Sequence, residues 1–438
     1  MLIRESAFIF LLFVALAYPY RFQTAFGPFN SFSLTEIALV AAWFRAGLGH
    51  LFSHKKIASA KAALHSTRFG WLDGTILLYL MVNVISVIWA VDKRYYTRGI
   101  VPILENIAFY YLLVFFSRTV RHLKLALKFF LALGVVALIL SALYYFWRME
   151  FLEVVPTQDL LVIVSNKTRL GSPSWGGSNY YASLMLLFVP TYLSLAILGK
   201  SLKNRIFFSI ISGISLLEFY FTFSRGGYIA LLCALILGVI ILLKQRKISP
   251  RLLATVFLAS VVIIVAMYYI YAHFAGIDSA VAEIENRVFT LDDQNAKIRM
   301  AFIQAALQSI SNSILGLGVG NYLVHPGLEN VGVHNAYLQI ALETGWIGIL
   351  VALAMFALLL RSNLLLFKNL KGTRYEPYAI GLFLSFIAIL INILGEATFE
   401  GIIFGWVFWL MQGIVRVLSE RRLVELPISR NSNQLSRN

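Results

Sequence analysis

An apolar run of about 15 to 25 residues recurs about twelve times along the chain, and all but the shortest are long enough to cross the roughly 30 Å hydrocarbon core of a bilayer as a helix. The runs fall near residues 6–20, 32–48, 71–91, 99–117, 125–147, 177–198, 206–223, 226–243, 252–272, 336–360, 377–395 and 401–418. Inside a bilayer each backbone N–H and C=O needs a partner within the protein, and a helix supplies it within the segment. The expectation is an all-α polytopic membrane protein. It divides into helices 1–9 (1–272), a large loop with an amphipathic helix (273–335), helices 10–12 (336–420) and a tail (421–438). Only 13% of the 438 residues are charged, against 59% hydrophobic, which excludes an ordinary soluble domain.

The net charge of +16 raises the question of nucleic acid, and its distribution answers it. Most of the 37 lysines and arginines fall in every second connection: 45–69, 118–128, 200–205, 244–251, 361–374 and the tail. That alternation is the positive-inside signal, so both termini are expected in the cytoplasm and no nucleic-acid partner is needed. Cys233, the only cysteine, falls within a span and offers neither an intrachain disulfide nor a thiolate site. Ala15-Leu16-Ala17 resembles a signal-peptide cleavage site, but Glu5 interrupts the basic n-region, so the first span is expected to stay.

The outer connections 148–176 and 273–335 are long for loops between packed elements, which points to function. Within the second, Ile298, Phe302, Ile303, Ala306, Leu307 and Ile310 recur at helical spacing and predict an amphipathic helix over 296–312, lying over the membrane. Gly316-Leu317-Gly318-Val319-Gly320 lacks the preceding strand of a nucleotide fingerprint and reads as a compact turn.

The chemistry gathers at the outer boundary. His334-Asn335-Ala336-Tyr337-Leu338 opens a span and is followed by Glu343, Gly345 and Gly348, so a group titrating near neutral pH stands where water meets lipid. His334 has two readings, a proton acceptor or a cap on the helix that follows. Ser224-Arg225-Gly226-Gly227 joins two spans with almost no loop and sets a guanidinium at the same boundary, able to hold a phosphate or simply to snorkel. Arg169, Arg287 and Arg299 also lie on outer segments, as does Asn179 just before a span. No zinc motif occurs, and Asp292-Asp293 is too isolated to argue for a metal. Arginines and one histidine suit a substrate whose leaving group is a stabilised anion, such as a lipid pyrophosphate.

These motifs resemble the O-antigen ligase and Wzy-type polymerase superfamily of bacterial envelope glycosyltransferases. The resemblance rests on Ser224-Arg225-Gly226-Gly227, on Arg299 with the Gly316–Gly320 turn, and on His334-Asn335-Ala336-Tyr337-Leu338 with Glu343, Gly345 and Gly348. Arg169 with Asn179 and Ala182 forms a weaker upstream part, which departs from the family pattern in reading Gly177-Ser178-Asn179 where a proline often precedes the asparagine. The resemblance implies a GT-C-like fold in the inner membrane, with the active site facing the periplasm and with neither metal nor cofactor. It implies transfer, with inversion, of a glycan from undecaprenyl pyrophosphate to a hydroxyl of lipid A-core. It implies His334 as catalytic base, Arg225, Arg169, Arg299 and Arg287 as pyrophosphate ligands, and Glu343, Asn335 and Asn179 in support. A polymerase extending a growing glycan shares the donor and chemistry. A lipid-linked oligosaccharide flippase is the reading from another class, although transport favours charges near the midplane and repeated halves.

Overall fold

The structure, a computed structural model, describes residues 21–23, 31–33, 69–116, 120–153, 177–246, 294–312, 314–324, 334–399 and 401–420. Ten α-helices make up almost all of it: α1 Trp71–Ile85, α2 Lys93–Phe116, α3 Val120–Glu153, α4 Ser178–Leu198, α5 Leu202–Tyr220, α6 Arg225–Lys244, α7 Gln294–Asn312, α8 Ala336–Asn369, α9 Glu376–Asn392 and α10 Ile402–Glu420. A short antiparallel pair, β1 Arg21–Gln23 and β2 Ser31–Ser33, aligns Phe22 with Phe32. Every predicted span that falls on described residues coincides with a helix. Among the described residues, five segments are long and apolar enough to cross a membrane: Trp71–Ile88, Leu123–Leu143, Ser178–Leu198, Arg225–Lys244 and Ala336–Asn369. Glu376–Asn392 and Ile403–Ser419 are shorter apolar helices. The spans 6–20 and 252–272, and nearly all of 32–48, lie outside the described residues.

Helix α4 is hydrophobic on all sides and is accordingly the buried centre, with Tyr181 through Tyr192 shielded. It packs along α9 through small polar groups. Asn392 Nδ2 donates to Ser183 Oγ at 2.6 Å, Ser385 Oγ to the Leu187 carbonyl at 2.9 Å and Ser194 Oγ to the Pro377 carbonyl at 2.7 Å. Gly381 lets the backbones touch, since a Cβ there would run into Thr191. Between apolar helices such contacts drive association, each hydrogen bond contributing about 0.6 kcal/mol. Helix α10 seals the opposite side of the core against α2, where Trp406 Nε1 donates to Glu105 at 3.1 Å and the Trp406 ring meets Phe109.

The two ends of the bundle differ. At one, Arg416 on α10 pairs with Asp73 on α1 at 2.9 Å, and Asn369 donates to the Ser419 carbonyl at 3.1 Å. The other end gathers the start of α4, the α5–α6 turn, the start of α8 and the end of α9, which are the segments predicted for the outer side.

Helix α8 departs from the expected straight span over 336–360. Its 34 residues would reach about 51 Å, well beyond a bilayer core. Gly345, at φ +67°, breaks it into a nine-residue piece and a longer one of roughly 36 Å that suffices to span alone.

Candidate functional site

The site begins where α9 ends. Beyond Asn392 the chain turns, and the carbonyls of Ile393 and Leu394 are taken by the start of α8: Ala336 N donates to Ile393 O and Asn335 Nδ2 to Leu394 O, both at 2.9 Å. Asn335 is also the N-cap, its Oδ1 accepting from Leu338 N at 3.0 Å. Capping is therefore the work of Asn335, and of the two sequence readings of His334 the cap is the one its neighbour takes. His334 itself has φ +49°, a left-handed conformation uncommon outside glycine, which costs on the order of 1 kcal/mol and must be held by its surroundings.

Beside the imidazole stands Glu396, one turn beyond α9. Its Oε2 lies 3.5 Å from His334 Nδ1, an ion-pair separation longer than a good hydrogen bond, and its Oε1 accepts from Asn179 Nδ2 at 2.7 Å. Glu396 is buried, while His334 keeps 32% of its side chain exposed. A carboxylate at Nδ1 favours the tautomer with hydrogen there, which leaves the Nε2 lone pair able to take a proton. Sequence reasoning missed Glu396, because it stands 62 residues from His334 in a short connection. The signal was present all the same: an acid directly after an apolar run, where only a partnered carboxylate is cheap.

Arg225 opens α6 by the same local device. Phe223, at φ +49°, precedes the N-cap Ser224, whose hydroxyl accepts from Gly227 N at 3.3 Å. Ser224 N in turn donates to Thr222 Oγ1 at 3.3 Å. Gly227 must stay small, since a Cβ would stand 3.1 Å from Phe219 and 3.3 Å from Ala182. The turn lies beside the α4–α9 seam, with Asn392 Oδ1 3.9 Å from where a Gly226 Cβ would be. Arg225, half-buried, thereby stands at the end of the bundle that carries His334, Asn179 and Glu396.

Glu343 stands apart from this group, buried just before the break in α8, where its Oε1 accepts from Gln339 Nε2 at 3.2 Å. The glycine turn fills the break. Leu317 N donates to Leu342 O at 2.9 Å, Gly318 N to Glu343 O at 2.8 Å and Trp346 N to Ile314 O at 3.1 Å. Gly316, Gly318 and Gly320 all have positive φ, as the expected compact turn requires.

The helix expected over 296–312 is α7, whose apolar face rests on α8 through Ala306 and Ile310, while Met300 and Leu307 are exposed. Arg299 lies on α7, but its side chain is outside the described residues, as are Arg169 and Arg287 entirely. Among the described residues, no three histidine, cysteine or carboxylate side chains gather as a metal-ligand set.

Residues 210–353 match the model of the O-antigen ligase family. The match takes in Arg225, Arg299, the glycine turn, His334, Asn335 and Glu343, the residues on which the resemblance chiefly rests. Asn179 and Glu396 lie outside it. No curated protein sequence matches the chain.

Proposed function

We propose that the protein is an O-antigen ligase-type glycosyltransferase. It moves a glycan from undecaprenyl pyrophosphate to an acceptor hydroxyl, that of lipid A-core, at the periplasmic face of the bacterial inner membrane. The observation that carries the reading is the linkage of His334 to Glu396 and Asn179 beside the Arg225 turn, within a chain whose residues 210–353 match the family. A histidine backed by a buried carboxylate supports proton removal, and an arginine fork supports an anionic leaving group.

In this mechanism the acceptor oxygen attacks the anomeric carbon from the face opposite the pyrophosphate, and the configuration inverts. The new C–O bond forms as the bond from the anomeric carbon to the phosphate oxygen breaks, and the electron pair leaves with undecaprenyl pyrophosphate. His334 Nε2 takes the hydroxyl proton, and Glu396 stabilises the imidazolium across 3.5 Å. Arg225, with Arg169, Arg299 and Arg287 from the outer segments, holds the charge of the leaving group. Asn179 keeps Glu396 in place, and Asn335 fixes the backbone of His334. Glu343 acts at a distance, by securing the break in α8.

The test is reconstitution of the purified protein with a lipid-linked glycan and lipid A-core. The reading expects one glycan-bearing acceptor product and released undecaprenyl pyrophosphate. Chain extension on the lipid-linked unit alone would make it a polymerase, and movement of intact donor between leaflets without bond cleavage would make it a transporter. For orientation, in a Cys233→Ala background, outer-face labelling should modify Asn330→Cys and spare Lys247→Cys; the reverse pattern would overturn the periplasmic assignment.

A further inference from the structure

The first two turns of α2 carry Lys93, Arg94 and Arg98, all exposed. At 100° per residue they share an arc of about 140°, opposite Gly99, which is set against Gly320, while the buried Ile100 flanks the arc beside Lys93. Cations are disfavoured at the positive end of the helix dipole, and Arg94 and Arg98, four residues apart, repel each other. None of the three has an ion-pair partner among the described residues. The adjacent acid, Asp92, is engaged with the backbone: its Oδ1 accepts from Arg94 N, and its own N–H donates to Asn321 Oδ1, both at 2.7 Å.

The platform beneath these cations is rigid. Val91 N donates to Leu317 O at 3.2 Å and Val319 N to Ser86 Oγ at 3.2 Å, so the turn that fills the break in α8 also fixes the start of α2. The Arg98 guanidinium lies over the Tyr95 ring, 5.8 Å from its centroid. Below Lys93 the face turns apolar and open, with Leu104 44% exposed and Val101 and Ala108 half-buried, while below Arg98 the chain packs inward through Glu105 and its bond to Trp406. A positive head above an apolar stripe fits an amphiphile that carries both a phosphate and hydrocarbon chains, and fits neither a free anion nor a soluble acidic partner.

We propose that Lys93, Arg94 and Arg98 form a site for the headgroup of an anionic phospholipid in the leaflet at the active-site end of the bundle, distinct from the arginines assigned to the donor. The chains of that lipid run along Val101, Leu104 and Ala108. The readout is lipid retention, so the proposal stands or falls independently of the transfer reaction.

The experiment measures lipid bound to the purified full-length protein by native mass spectrometry, comparing phosphatidylglycerol with phosphatidylcholine of the same chains. Wild type should retain phosphatidylglycerol preferentially. Each of Lys93→Gln, Arg94→Gln and Arg98→Gln should weaken that preference about fivefold, and the triple variant about a hundredfold. The triple variant should melt no lower than wild type, because the cations oppose the helix dipole, and the single variants keep the test valid should it not fold. Glycerol phosphate at millimolar concentration should leave the bound lipid in place, and Leu104→Asn should weaken lipid retention. An unchanged preference in the triple variant would overturn the site; displacement by glycerol phosphate would show an ion site in place of a lipid site.

Discussion

Replacing Glu396 by glutamine keeps the shape of the side chain and removes its charge, which tests whether His334 is held as a base. The carboxylate faces two groups: Asn179 Nδ2, donating at 2.7 Å, and His334 Nδ1 at 3.5 Å. An amide cannot accept from both. If its oxygen stays on Asn179, its NH2 faces Nδ1 and favours the tautomer with hydrogen on Nε2, which cannot take a proton. If it flips, two NH2 groups meet and the clamp to α4 is lost, leaving a buried donor unmet at about 1–3 kcal/mol. The first outcome removes general-base catalysis, worth about 10²- to 10⁴-fold, and the imidazolium also loses its counter-charge. We therefore expect Glu396→Gln to lower single-turnover glycan transfer by about 10²-fold or more per folded molecule, with donor binding retained. Transfer within a few-fold of wild type would refute the tautomer argument.

Arg225→Lys should lower transfer at least about tenfold in membranes with equal protein levels, because a point charge cannot replace a fork gripping two phosphate oxygens; near-normal transfer would leave Arg225 only an anchoring role. Asn335→Ala removes the cap and the bond to Leu394 O, so the melting temperature should fall by an amount matching about 1–2 kcal/mol, with a smaller loss of transfer per folded molecule than a change at His334 gives. Gly345→Ala would force a side chain into positive φ and drive its Cβ into the Ile314 carbonyl. It should cost about 3 kcal/mol or more and sharply reduce folded yield on size-exclusion chromatography.

The helices were legible because bilayer thickness sets the length of each apolar run, and the glycine turn because three glycines in five residues have few other uses. The break at Gly345 was not, since an averaged hydropathy window registers an apolar glycine and is blind to its φ. Asn335 was readable as a cap, since an asparagine directly before an apolar run is a helix-start signal. Glu396 was hidden for a different reason. Its meaning comes from α4 and α8 meeting the end of α9, and no local pattern records which of several boundary carboxylates lies beside the histidine. Glu105 shows the ambiguity, for it ends up holding the Trp406 indole within the core.

The central claim is that His334 accepts the proton of the attacking hydroxyl. It is tested most directly by His334→Ala, with transfer of a purified lipid-linked glycan normalised to folded protein, beside a donor-binding measurement. Because Asn335 does the capping, folding and donor binding should survive, and transfer should fall by about 10²-fold or more. Transfer per folded molecule within a few-fold of wild type would contradict the account.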